Sequence, residues 1–268
     1  MRLIVQHVTT YTYDQPVRAV VQSHRLLPTQ CDNQITHRWQ VLVSDGLMGG
    51  SFRDGACDLV QAWTVRGPVS KIEVKVTGEV TTTDQSGVLR GNRESIPAVA
   101  WLGETAPTMP DAALKELAAS VKGADALSLA HALSGAVSDA IKYMPGATDA
   151  HTTAAEALGL GEGVCQDMAH ALITIARLHD LPARYVSGYL FTDSEGKAHE
   201  AAHAWAELHI DGLGWVGFDP ANACCPDERY IRLGCGMDAQ AAAPIRGIAR
   251  GPGDETMEIA VAIGATQQ

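Results

Sequence analysis

The chain has 268 residues, of which 46% are hydrophobic and 19% charged, and it carries a net charge of −11 with no cluster of Lys and Arg. That length suits two modest globular domains rather than one. The acidic balance argues against nucleic acid or an anionic membrane as the main partner.

The opening run Met1–His7 is too short in apolar residues for a signal peptide. No segment approaches the roughly 18 apolar residues of a membrane helix. Val5–Tyr13, Ile35–Val43, Leu59–Val65 and Ile72–Val80 are rich in β-branched and aromatic residues, with turn chemistry between them at Asp14-Gln15-Pro16, Asp45-Gly46 and Gly67-Pro68. Lys71–Val76 alternates polar and apolar, as a half-buried strand does. Residues 1–102 therefore read as an antiparallel β-sandwich domain.

Pro107 and Pro110 mark a connector, after which Asp111–Val121 and Leu127–Met144 read as helices. Thr153-Ala154-Ala155-Glu156 is a capping-box pattern opening a short helix closed by Gly159. A further helix runs from Cys165 to about His179 and stops before Pro182. Strands follow at Arg184–Phe191, Ala202–Asp211, Gly214–Asp219 and Thr256–Ile263. Helices followed by an antiparallel sheet make residues 103–268 a second domain and the whole fold α+β.

The stretch Gly161-Glu162-Gly163-Val164-Cys165 puts a thiol in the first turn of a helix. Free N–H groups and the positive end of the helix dipole favour thiolate there, and thiolate is the nucleophile. The glycines let a substrate backbone come close, and the N–H of Cys165 is placed to help hold an oxyanion. Cysteine on an apolar helix face is more often inert core, so Cys165 needs partners. His203 shares a strand face with Trp205, Glu207 and His209, and Asp219 ends the next strand before Pro220. Asp219 would otherwise be read as a turn starter. A four-residue loop pairing Ile210 with Trp215 puts Asp219 on the wrong side of the sheet. A three-residue loop pairing Ile210 with Gly214 puts it on the His203 face, and Gly212 and Gly214 suit that loop. The expected chemistry is a Cys–His–Asp acyl transfer. Cys165 attacks an amide carbonyl, His203 exchanges the proton and Asp219 orients the imidazole.

Together, Gly163-Val164-Cys165-Gln166-Asp167, His203-Ala204-Trp205-Ala206-Glu207 and Gly214-Trp215-Val216-Gly217-Phe218-Asp219-Pro220 resemble the transglutaminase-like superfamily, in particular its bacterial branch of candidate cysteine proteases. Tyr11–Val17 and Arg25–Pro28 are similar to the β-sandwich that precedes the core in that branch, and Tyr143–Thr148 and Ala183–Tyr189 fit the core itself. The resemblance implies a papain-like or transglutaminase-like catalytic core, with Cys165, His203 and Asp219 as its catalytic residues. Gly234–Asp238 departs from the branch's usual Gly-Arg-Asp-Tyr pattern, and a wall on the acyl-acceptor side is the expectation attached to it.

The function expected is hydrolysis of peptide or glutamine-type amides through a thioester, on a protein or peptide substrate. Crosslinking of glutamine side chains to amines is the alternative, and a non-catalytic protein-binding module is a second. The sequence does not distinguish water from amine as acceptor, nor the oligomeric state. No cofactor is expected. Cys224, Cys225, Cys235 and His199 make a poor metal-ligand set, so no metal is expected either. Cys31, Cys57, Cys224, Cys225 and Cys235 read as structural thiols, and reduced cysteines suggest a cytoplasmic setting. His170 reads as a packing or surface residue, Gln166 and Asp167 as support for the helix start, Trp205 as a shield for His203 and Trp215 as core.

Overall fold

The computed structural model describes residues 1–192 and 202–265. Its first strand, β1 (Arg2–His24), buries odd-numbered residues from Leu3 to Tyr13 and again at Val17, and even-numbered ones from Val20 on. The switch coincides with shifts in its pairing to β4 between Thr12 and Ala19, because one irregular residue reverses which face a strand buries. β2 (Gln34–Val43) and β3 (Gly46–Arg53) follow, and β4 runs unbroken from Leu59 to Thr82. The two strands expected at Leu59–Val65 and Ile72–Val80 are thus halves of one, which continues through Gly67-Pro68. β3 was not anticipated: Gly-rich and exposed over most of its length, it carries no apolar alternation.

These strands form one continuous antiparallel sheet, folded at the β1 and β4 irregularities so that residues from both halves, including Tyr11, Val20, Trp63 and Ile72, share a core.

Helix α1 (Ala112–Ser120) is capped by Asp111, whose side chain accepts from Leu114 N at 2.8 Å. Helix α2 (Ala126–Ala140) stops short of the expected Met144, because β5 (Lys142–Tyr143) leaves it to pair in parallel with β6 (Glu162–Gly163). Between them α3 (Ala154–Leu160) has the expected Thr153–Glu156 capping box. It closes at Gly161, in the left-handed region at φ 70°, rather than at Gly159. Helix α4 (Cys165–Arg177) starts directly after β6, so the short parallel pair fixes its first turn.

Strands β7 (Ala183–Leu190), β8 (Ala202–Ile210) and β9 (Gly214–Phe218) and a strand not anticipated, β10 (Tyr230–Gly236), make a second antiparallel sheet in the order β10-β7-β8-β9. β10 is buried on both faces and so shows no alternation. One face, through Ala204, Ala206 and Leu208, packs on the helices. The other carries Trp205, Trp215 and Tyr230.

The chain then returns to the first sheet: β11 (Ile245–Arg250) and β12 (Glu255–Ala265) both pair with β1. The sheet built by the first hundred residues therefore also takes in residues 245–250 and 255–265.

On the Trp205 face of the second sheet lies a buried ion network. Glu207 accepts from Arg184 Nε at 2.6 Å and Arg232 Nε at 2.8 Å. Arg232 reaches Asp58 at 2.9 Å, and Arg184 reaches Glu94 at 2.7 Å. Arg184, fully buried, lies 3.8 Å over the Trp215 ring. The arginines hold Glu207 at a pKa of about 2 against the upward push of burial.

Candidate active site

Cys165 is the first residue of α4, and its position is set by two contacts of Asp167. Asp167 Oδ2 accepts from the N–H of Val164 at 2.8 Å and from Thr148 Oγ1 at 2.6 Å, tying the helix start to the loop after β5. The support expected of Asp167 is thus a pair of hydrogen bonds. The carboxylate is fully buried, and burial pushes its pKa up. Gln166 donates to Ala150 O at 3.3 Å.

His203 stands near the start of β8. The rest of its face, Trp205 and Glu207, points away from α4, but His203 lines the same cleft as Cys165, close enough for the two to act on each other's charge. Ile210 pairs with Gly214, the three-residue loop that the His203 face requires. Asp219 accordingly lies beside His203, with Nε2 and Oδ2 2.6 Å apart. With Nε2 engaged by the carboxylate, Nδ1 is the ring nitrogen left for the thiol. The structure therefore brings the three predicted residues together.

Asp219 also does what a turn starter does, through its other oxygen. Oδ1 accepts from the N–H groups of Ala221 and Asn222 at 3.0 and 3.3 Å. Oδ2 collects His203, Asn222 Nδ2 at 2.7 Å and Tyr230 Oη at 2.7 Å. Burial raises the carboxyl, but these donors and the charge of His203 outweigh it and hold the pKa below the usual range. Burial lowers His203, yet hydrogen bonds and charge from Asp219 and Cys165 lift it to about 10. Burial and the adjacent Asp219 keep Tyr230 protonated, so it donates.

Tyr230 and Asn222 were not found from the sequence. Tyr230 sits on the unanticipated strand β10, and Asn222 is one polar residue in a turn. Trp205 stacks on the His203 ring at 6.4 Å and 25°, the expected shield. Trp215 is buried, as expected of core.

His170 is a packing residue and not a surface one: it is 1% exposed, accepts from Ala239 N at 2.9 Å, and burial lowers its pKa to about 4. All six cysteines are free thiols. Cys224 Sγ lies 3.4 Å from Tyr230 Oη. Among the described residues no group of three or more His, Cys, Asp or Glu is arranged to hold a metal ion; His199 lies outside those residues.

Cys165 and His203 open onto a cleft of about 420 Å³ whose opposite wall is built by β1, β11 and β12 of the first sheet. Gly234–Asp238 does not line it, although Leu233 and Ala239 on either side do. That segment packs inward instead: Cys235 N donates to Asp58 at 2.7 Å, and Met237 O accepts from Arg177 at 3.0 Å.

A cysteine at a helix start, facing a histidine and an aspartate on an antiparallel sheet, defines a transglutaminase-like arrangement. Residues 115–220 match the transglutaminase-like superfamily, and residues 3–81 match the bacterial transglutaminase-like N-terminal region; the chain belongs to the transglutaminase-like superfamily. An uncharacterised protein of Mycobacterium leprae is 28% identical over 98% of this chain and 98% of its own length. Another from Mycobacterium tuberculosis is 42% identical over 40% of this chain and 37% of its own. The crystal structure of a candidate cysteine protease from Cytophaga hutchinsonii has the same fold, with a TM-score of 0.75 at 21% identity, over 100% of this chain and 92% of that one.

Proposed function

We propose that the chain is a cysteine-dependent acyl-transfer enzyme acting on the amides of a protein or peptide, with hydrolysis as its reaction. The observation that carries this is the Cys165–His203–Asp219 array opening onto the cleft. The thiolate of Cys165 adds to the amide carbonyl, and the carbonyl π electrons move to oxygen. The N–H of Cys165, in the first turn of α4, is placed to donate to that oxyanion. As the C–N bond breaks, the imidazolium of His203 gives its proton to the departing nitrogen, leaving a thioester and free amine or ammonia. Water then adds to the thioester while His203 takes its proton. Collapse expels the thiolate and releases the carboxylic acid. Asp219 keeps the ring oriented and its cationic form stable. A primary amine arriving in place of water would give crosslinking by the same steps. The free thiols fit a cytoplasmic location, which is part of this proposal.

The test is the rate of iodoacetamide alkylation at Cys165 against pH, by peptide mapping, in wild type and His203→Ala. Rapid labelling well below the free-thiol pKa of about 8.5, lost in the variant, supports the activated pair. Slow labelling that ignores His203 refutes it. Peptide amides incubated with and without a primary amine then identify the acceptor.

A further inference from the structure

The register of β12 against β1 sets which of its residues face the second sheet. Ile263 pairs with Val5, Val261 with His7, Ile259 with Thr9 and Met257 with Tyr11, all on the inward face of β1. These four apolar residues share one face of β12 with Glu255, which accepts from Tyr13 Oη at 2.8 Å, but their burial splits. Val261 is 2% exposed, and Ile263 packs into the core with Tyr189, Ile231 and Leu233. Ile259 and Met257 are 41% and 54% exposed. Nothing in the described structure covers them, because the cleft lies in front, with Cys165 and His203 on its far side. Ile245 of β11 extends the same wall.

Among the described residues lining the cleft, the ionic groups are Cys165 and His203 themselves, with no Asp, Glu, Lys or Arg. His7 is held between Tyr189 Oη at 2.7 Å and Thr9 Oγ1 at 2.8 Å. Burial lowers its pKa to about 4, so it is neutral at pH 7. A charged side chain seated against the Ile245, Met257 and Ile259 wall loses water and meets no charged partner among the described lining residues there, whereas an apolar one covers surface that folding leaves bare.

We propose that the wall formed by Ile245, Met257 and Ile259 seats a bulky uncharged apolar side chain beside the scissile amide, so that the acyl donor is a neutral apolar segment and not an acidic or basic one. This rests on Cys165 being the nucleophile.

Four alkylating probes test it on the full chain: iodoacetamide, an N-naphthyl iodoacetamide, iodoacetate, and an iodoacetamide bearing a quaternary ammonium group. The rate of each at Cys165 is divided by its rate with N-acetylcysteine amide. The naphthyl probe should exceed iodoacetamide by about tenfold or more, the smallest gain expected for covering one large side chain. The quaternary ammonium probe should fall below iodoacetamide, and iodoacetate, which the His203 imidazolium attracts, should still fall below the naphthyl probe. Met257→Glu and Ile259→Glu should each bring the naphthyl preference to within about twofold of unity, and Met257→Leu should keep it. A naphthyl ratio near one, a charged probe in the lead, or a preference that survives both Glu variants overturns the proposal. If no probe labels Cys165 in a His203-dependent way, the nucleophile reading itself falls, which is a separate result.

Discussion

Lowering the pH from 7 to 5 should destabilise this protein by about 5 kcal/mol, through three histidines buried in neutral form. His7, His24 and His170 are 5%, 0% and 1% exposed, and burial lowers each to a pKa of about 4. In the unfolded chain they return to about 6.5. A base depressed on folding leaves stability complete above pH 6.5 and removes it as the unfolded state takes up protons between 6.5 and about 4. Each contributes about 2 kcal/mol over the interval from 7 to 5. His203 runs the other way. Its raised pKa gives stabilisation that is full below 6.5 and lost only as pH rises toward about 10, so it returns less than about 1 kcal/mol here. Asp167, whose carboxyl is pushed up by burial, also opposes the trend. Against a typical domain stability of roughly 5–15 kcal/mol, the net loss is large. Urea unfolding followed by tryptophan fluorescence at constant ionic strength, pH 5 to 8, measures it. A change below about 1 kcal/mol, or NMR titration of these histidines near pH 6.5 in the folded protein, would refute the reasoning.

Three other changes should have distinct signatures. Asp219→Asn takes the charge from the imidazole's partner, and amide cleavage should fall about 10²- to 10⁴-fold in kcat; a loss under threefold counts against the triad. Glu207→Ala strips the shared carboxylate from two buried arginines. It should lower unfolding free energy by about 3–5 kcal/mol, read from chemical denaturation, although neither arginine touches Cys165 in the described contacts. Gly188→Ala would place its Cβ 2.2 Å from Ile231 O and 2.6 Å from the Trp205 ring. A loss of about 1–3 kcal/mol should come with a shift in tryptophan emission, as the ring stacked on His203 is displaced.

The juxtaposition of Cys165, His203 and Asp219 was legible because its signals are local. A glycine-marked helix start, an alternating strand and a loop whose length sets parity each lie within a few residues, and parity alone placed Asp219 on the His203 face. The helices were legible to within a few residues through their caps. α2 ended early because Lys142 and Tyr143 pair with Glu162 and Gly163, a contact that propensity cannot report. β3 and β10 were hidden for opposite reasons, one exposed and Gly-rich, the other buried on both faces.

The sequence by itself determined the two kinds of secondary structure, the order of the chemistry-bearing residues and the face each occupies, because these follow from periods of 2 and 3.6 residues. Tertiary structure alone decided that Tyr230 holds Asp219 and that Glu207 is shared by Arg184 and Arg232. It also returned β12 to β1, leaving Met257 and Ile259 bare before Cys165. Each of these joins residues from separate elements, and Met257 stands 92 positions from Cys165. Such pairings are set by how whole sheets pack, which no local pattern encodes.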